Sequence, residues 1–155
     1  MHRQRPTRVL VVEDAADLAE VYRRHLTRHG CEVVVAETGQ EALDLAPDFD
    51  PDLAFVDTML PDMLGTSVVD GLRADARTAH CIVVIASGLD PDVQDTHGDA
   101  VMPKPFSGAD IADILSWYAG LPAADVMPIP QWDSGGEAES AAERDGGEPE
   151  RPGGR

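Results

Sequence analysis

Short apolar runs alternate with helical patterns along the first 118 residues. Four of these runs are continuously apolar, at residues 9–12, 33–36, 53–56 and 82–86. Unbroken apolar runs are typical of strands covered on both faces, as in a parallel sheet flanked by helices. A weaker run at residues 100–102 predicts a fifth strand.

The first two helices are predicted from apolar spacing and capping residues. An apolar stripe that includes Leu18, Tyr22 and Leu26 recurs at helical spacing and stops before a glycine, which suits a helix end. Thr38 and Glu41 then form a capping-box pattern that opens a second helix. Proline interrupts helices, so we expect this second helix to end at residue 47.

Two more helices follow, separated by an uncertain segment. One is predicted from Thr66 to Ala76, and the last begins at Ser107 with Asp110 in its first turn. Residues 88–100 instead carry four aspartates, two glycines and a proline. We therefore expect a turn or loop there, because any helix would be brief and poorly anchored.

The alternation of strands and helices predicts an α/β fold. The simplest arrangement is a doubly wound, five-stranded parallel sheet of the flavodoxin type, with strand order 2-1-3-4-5. In that order strands 1 and 3 are neighbours, and their carboxyl ends flank the crevice where ligands bind. Glu13 and Asp14 follow strand 1 and Asp57 ends strand 3, so these carboxylates should meet.

Three carboxylates in one crevice predict a metal-assisted reaction. They would repel one another unless a hard divalent cation accepted their oxygens, and Mg²⁺ is the natural occupant. Asp57 would be the nucleophile towards a phosphoryl group. The chain's one lysine, Lys104, follows the last strand and could pair with Asp57 and then with the phosphate. Ser87, just after the apolar run at residues 82–86, adds a hydroxyl at the same end of the sheet.

Composition excludes several classes of protein. The 155 residues carry a formal net charge of -17, which would repel a nucleic-acid backbone. No apolar stretch approaches the roughly 18 residues of a membrane span, so we expect a cytoplasmic protein with no membrane partner. Cys31 and Cys81 lack metal-ligand spacing and should serve as small buried hydrophobes.

The chain divides into one domain and two flexible ends. We expect a flexible N-terminus at residues 1–6, a folded domain at residues 7–118, and an acidic tail at residues 119–155. The tail holds seven glycines and five prolines, a composition typical of disorder. The apolar stretch at residues 126–132 inside it is interpreted as part of a collapsed linker, with docking on a partner or back on the folded domain as the alternative.

Four motifs together resemble the receiver (CheY-like) domain of two-component response regulators, single-domain members included. They are Val11-Val12-Glu13-Asp14, Asp57 with Leu60-Pro61-Asp62 and Gly65, Ile85-Ala86-Ser87-Gly88, and Pro103-Lys104-Pro105-Phe106. The resemblance covers about residues 7–118. Each motif is weak alone, but the set is specific.

The resemblance implies a role for each of these positions. Asp57 would accept phosphate from a histidine kinase or phosphotransfer protein. Asp14, Asp57 and the backbone carbonyl of Met59 would ligate Mg²⁺, with Glu13 acting directly or through water. Ser87 would be the switch hydroxyl, Lys104 the phosphate partner, and the Lys104-Pro105 bond would be cis.

It also implies a signalling protein rather than a classical enzyme. Since no second domain is evident, we expect a stand-alone receiver that contacts a downstream protein target, as a monomer or weak dimer. Two features depart from the family. Val101 occupies a position that usually carries an aromatic switch residue. The stretch from Ser87 to Lys104 is also shorter than in the family, which makes dimerisation through a helix in that stretch and its neighbours less secure.

Two alternatives remain open. A pseudo-receiver would keep the fold and bind partners without phosphorylation. A haloacid-dehalogenase-like phosphatase would also use an aspartyl nucleophile with Mg²⁺, but it needs a second aspartate two residues further on, where Met59 stands.

Overall fold

A single parallel sheet forms the centre of the protein. The computed structural model describes residues 5–88 and 97–121. The strands are β1 (Arg8–Val12), β2 (Glu32–Ala36), β3 (Leu53–Asp57), β4 (Ile82–Ser87) and β5 (Ala100–Pro103). They pair in parallel in the order β2-β1-β3-β4-β5. The predicted fold class and strand order are confirmed.

Helices cover both faces of this sheet. They are α1 (Ala16–Arg28), α2 (Gly39–Phe49), α3 (Gly65–Ala74) and α4 (Gly108–Ala119). One apolar cluster joins the sheet to α1 and α4, and the other joins it to α2 and α3. Strands buried by helices on two sides explain the unbroken apolar runs.

The predicted end of α2 is wrong. Pro47 lies inside the helix, which continues to Phe49 and ends at Asp50 in the left-handed conformation, with a φ of 56°. Pro47 has no amide hydrogen to donate to the preceding turn, but the amide of Asp50 still reaches the carbonyl of Ala46 at 2.8 Å. Ala42 and Ala46 of α2 are buried in the core, and this packing holds the helix together despite the proline.

The capping predictions hold in part. The Thr38 hydroxyl accepts a bond from the Glu41 amide at 3.0 Å, but the Glu41 carboxylate accepts from the amide of Glu37 rather than of Thr38. In α4 the capping box is complete, and the Ser107 amide donates to Asp110 at 2.8 Å.

The cysteines differ in burial. Cys81 is buried, whereas Cys31 is only half-buried, so the prediction for Cys31 is wrong in degree. Burial raises the pKa of Cys81 to about 12 and also raises the pKa of Cys31, which keeps both thiols protonated and unreactive.

Several predictions concern residues outside the described part of the chain. Residues 1–4, most of the expected loop at 88–100, and residues 122–155 fall there, including the apolar stretch at 126–132. Within the described residues, Arg5 binds Asp52 at 2.9 Å, and Leu121 packs on the core. No described helix has the length and apolar character needed to cross a bilayer.

Candidate functional site

Three carboxylates converge at the carboxyl edge of the sheet. Glu13 and Asp14 follow β1, Asp57 is the last residue of β3, and these two strands are paired neighbours with Val12 opposite Val56. One carboxylate oxygen from each acid lies within 4.8 Å of the other two. Because parallel strands end at the same edge, the topology alone brings these side chains together.

The three acids differ in their exposure to water. The side chain of Glu13 is 2% exposed and that of Asp57 is 12% exposed, whereas Asp14 is open to solvent. Burial and the charge of Asp57 raise the pKa of Glu13, although a bond from the Ala15 amide at 3.2 Å and the Lys104 ammonium oppose the shift. Glu13 is therefore a carboxylate with little access to water, and the Ala15 amide and the Lys104 ammonium stabilise its charge.

Lys104 supplies the positive charge of the pocket. Its Nζ lies 3.0 Å from Asp57 Oδ1 and 3.5 Å from Glu13 Oε1. Burial works to lower the pKa of Lys104, but the bond to Asp57 and the charges of both acids outweigh it, so the pKa is raised. Lys104 thus stays charged at neutral pH.

The backbone around Lys104 ties it to β4. The Lys104 amide donates to the Ser87 carbonyl at 2.8 Å, and the Lys104-Pro105 peptide bond is cis, as the family resemblance implies. Ser87 is the last residue of β4 and is 7% exposed. It follows Ala86, which pairs with Asp57 in the sheet, so Ser87 stands at the same edge as the carboxylates.

A tight loop leads from Asp57 into α3. The Gly65 amide bonds the Thr58 carbonyl at 2.7 Å, and Met59 forms an isolated antiparallel bridge with Leu64. A Cβ at Gly65 would collide with the carbonyl oxygen of Asp57, so this position requires glycine. Within the described residues, Met59 and Leu64 are the large hydrophobic side chains left exposed, and both flank the site.

Sequence reasoning missed an aromatic stack beneath the pocket. The ring of Tyr22 on α1 lies 5.1 Å from that of Phe55 in β3 and 4.8 Å from that of Phe106 after β5. Burial, with the charges of Glu13 and Asp57, raises the pKa of Tyr22. The apolar stripe marked Tyr22 as a core residue, but no sequence signal shows its two ring partners.

The carboxylates fit a hard divalent cation. Carboxylate oxygens are the ligands that Mg²⁺ and Ca²⁺ accept most readily. One ammonium cannot neutralise three acids, so the pocket keeps a net negative charge near neutral pH. A divalent cation would remove that repulsion.

Comparison with known proteins identifies the family. The model of the response regulator receiver domain matches residues 9–116. The chain belongs to this family. The family is a signalling domain rather than a classical enzyme, and the phosphatase alternative loses its support, since the side chain of Met59 supplies no acid or base.

The relatives include a transcriptional regulatory protein and a polar-differentiation response regulator. The chain is 40% identical over 103 residues to the transcriptional regulatory protein KdpE of Mycobacterium tuberculosis, a match covering 64% of this chain and 45% of KdpE. It is 34% identical over 110 residues to the response regulator MprA of Mycolicibacterium vanbaalenii, covering 66% and 46%. The matched part thus spans about half the length of these relatives. DivK of Brucella anthropi is 28% identical over 120 residues, covering 74% of this chain and 98% of DivK.

Solved structures share the same fold. A CheY-like receiver domain from Methylobacillus flagellatus is 28% identical, with a TM-score of 0.67 over 73% of this chain and 98% of that one. The receiver domain of the sensor histidine kinase PA1611 from Pseudomonas aeruginosa, which has a magnesium ion coordinated in its active-site cleft, is 23% identical. Its TM-score is 0.69, over 75% of this chain and 99% of that one.

Proposed function

We propose that this receiver domain accepts a phosphoryl group on Asp57 from a histidine kinase or phosphotransfer protein. The observation that carries the proposal is the contact of Asp57 Oδ1 with Lys104 Nζ at 3.0 Å, beside the carboxylates of Glu13 and Asp14. An aspartate paired with a fixed cation in an acidic pocket has the charges that phosphoryl transfer needs.

The reaction is a transfer between a donor imidazole and the Asp57 carboxylate. An oxygen of Asp57 attacks phosphorus, the phosphorus–nitrogen bond of the donor phosphohistidine breaks, and the electron pair leaves with the imidazole. The product on this chain is an acyl phosphate. Lys104, released from Asp57, pairs with an oxygen of the new phosphoryl group as a point charge.

Mg²⁺ is the proposed cofactor. Asp14, Asp57 and the backbone carbonyl of Met59 would hold it, with Glu13 binding directly or through water. The ion would supply neutralisation of the charge on the transferring phosphoryl group. The positions of the three carboxylates support this assignment, because each contributes an oxygen to one small volume.

The phosphorylated state would be read by other proteins. The Ser87 hydroxyl and the Lys104 ammonium would form charge-assisted bonds to phosphate oxygens, and the segments that carry them would shift. Val101 on β5 has no ring to rotate, so the signal would pass through the backbone around Ser87 and Lys104. We place this activity in the cytoplasm, where a downstream protein target would bind the monomer or weak dimer.

Phosphate labelling tests the proposal. The protein is incubated with acetyl phosphate and Mg²⁺, and hydroxylamine-labile phosphate is measured on wild type, Asp57→Asn and Asp113→Asn. Asp113 is exposed on α4, so its variant controls for the loss of one negative charge. Wild type and Asp113→Asn should label equally and Asp57→Asn should not. If Asp57→Asn is labelled as strongly as wild type, the acceptor is another residue. An unlabelled wild type would favour a pseudo-receiver.

A further inference from the structure

The loop between β3 and α3, residues 58–64, is fastened to the first turn of α2. Asp62 Oδ1 accepts a bond from the Gly39 amide at 2.8 Å, and Oδ2 accepts one from the Gln40 amide at 2.9 Å. A helix leaves its first amides without helical partners. Asp62 therefore caps α2 from a segment more than twenty residues away, with both oxygens of one carboxylate.

An apolar contact reinforces this attachment. A Cβ on Gly39 would collide with Cγ of Met63 and would lie only 2.6 Å from its Sδ. Glycine at this position thus lets the Met63 side chain lie directly on the backbone of α2. The tip of the loop is held by two adjacent residues, one through charge-assisted hydrogen bonds and one through packing.

The tip is in turn bonded to the part of the loop nearest the pocket. The Leu60 amide donates to the Met63 carbonyl at 3.1 Å, and Met59 bridges to Leu64. These bonds connect the residues next to Asp62 with Met59, whose backbone carbonyl is the proposed third ligand. A shift of the tip away from α2 would therefore move Met59.

We propose that Asp62 is a positioning residue for the cation pocket. By bonding the first amides of α2, it holds the 58–64 loop so that the Met59 carbonyl is available to a divalent cation, and it thereby sets how tightly the pocket binds that cation. Asp62 would touch neither the cation nor the phosphoryl group, because both of its carboxylate oxygens bond the amides of α2. The inference rests on the proposed function, because it concerns the same pocket.

Ionisation of Asp62 agrees with this role. The bonds from Gln40 and Gly39 lower the pKa of Asp62, so the carboxylate stays charged well below neutral pH. The competing explanation is that Asp62 stabilises only α2. That explanation predicts a loss of stability with no change in cation binding, so the two can be separated.

A methyl NMR titration with Mg²⁺ is the test. The full chain has five methionines, so labelling their methyl groups gives a simple spectrum in which Met59 reports on the pocket. The dissociation constant is measured for wild type, Asp62→Asn, Met63→Ala and Asp113→Asn. Asp62→Asn should weaken binding roughly tenfold, the usual cost of removing a group that orients a ligand. Met63→Ala should weaken it in the same direction, and Asp113→Asn should bind as wild type.

The two loop variants make the result decisive. Met63→Ala loosens the loop with no change of charge. If Asp62→Asn weakens Mg²⁺ binding and Met63→Ala does not, the effect of Asp62 is electrostatic and the inference is overturned. Lower melting temperatures with unchanged binding in both variants would reduce Asp62 to a helix cap and would also overturn it. In the metal-free protein, Asp62→Asn should already shift the Met59 and Met63 methyl signals. A wild type that shows no Mg²⁺ shift would instead contradict the proposed cation site itself, and the inference with it.

Discussion

Replacing Lys104 with methionine should destabilise the protein in the absence of divalent cations. Lys104 Nζ lies 3.0 Å from Asp57 and 3.5 Å from Glu13, and at an effective dielectric constant near 20 each attraction is about 5 kcal/mol before desolvation. Burying the ammonium offsets much of that. Methionine keeps the apolar length of the side chain, so the loss should report mainly the missing charge.

The net loss in the free energy of unfolding can be estimated from how deeply Lys104 and its two acidic partners are buried. Removing one member of a fully buried pair costs about 3–5 kcal/mol. The Lys104 side chain is 23% exposed, so water screens part of the interaction and we expect a loss of about 2 kcal/mol. For a domain of this size that is a fall of roughly 8 °C in melting temperature.

Urea unfolding at pH 7.5 with EDTA, followed by circular dichroism, measures the loss. The raised pKa of Lys104 means that its contribution is complete below the ordinary value of 10.5 and disappears only as pH rises above it. Arg24→Met removes an exposed charge on α1 and should cost under about 0.5 kcal/mol. In an Asp57→Asn background the Lys104→Met loss should shrink. An undiminished loss in that background would refute the pairing on which the argument depends.

Two further predictions concern Glu13 and Gly65. Because burial raises the pKa of Glu13, the folded protein holds the Glu13 proton more tightly than the unfolded chain does, and the contribution of Glu13 to stability should fall as pH rises above 4.5. Glu13→Gln should remove this pH dependence, so the difference in the free energy of unfolding between wild type and Glu13→Gln, measured with urea, should change between pH 4.5 and 7. A difference that does not change with pH would contradict this. Gly65→Ala should cost about 1–3 kcal/mol because its Cβ meets the Asp57 carbonyl. The matched control is Gly120→Ala, where the nearest atoms lie at 3.6 Å, and an equal effect at both positions would refute the steric argument.

The sheet was predictable because its strands are short, apolar and bounded by turn residues. Burial on both faces removes the polar alternation of an exposed strand, and the strand order then follows from the usual doubly wound topology. The convergence of Glu13, Asp14 and Asp57 needed only that order. Pro47 misled the prediction because the packing of α2 on the core outweighs the hydrogen bond that the proline removes.

Other parts of the site are contacts between distant segments, which local patterns do not encode. The stack of Tyr22 with Phe55 and Phe106 joins three elements, and nothing in the spacing of an apolar stripe selects those partners. Asp62 was visible as part of a motif, but its bonds to α2 depend on how the loop folds back. Such contacts emerge only when the tertiary structure is known.

Chemical location of the phosphoryl group would test the proposed role of Asp57 most directly. Wild-type protein is treated with acetyl phosphate and Mg²⁺, the acyl phosphate is reduced with borohydride, which converts a phosphorylated aspartate to homoserine, and the peptides are sequenced by mass spectrometry. We predict homoserine at position 57 alone. Homoserine at position 14 or 62 with Asp57 unchanged, or no conversion at any aspartate, would contradict it.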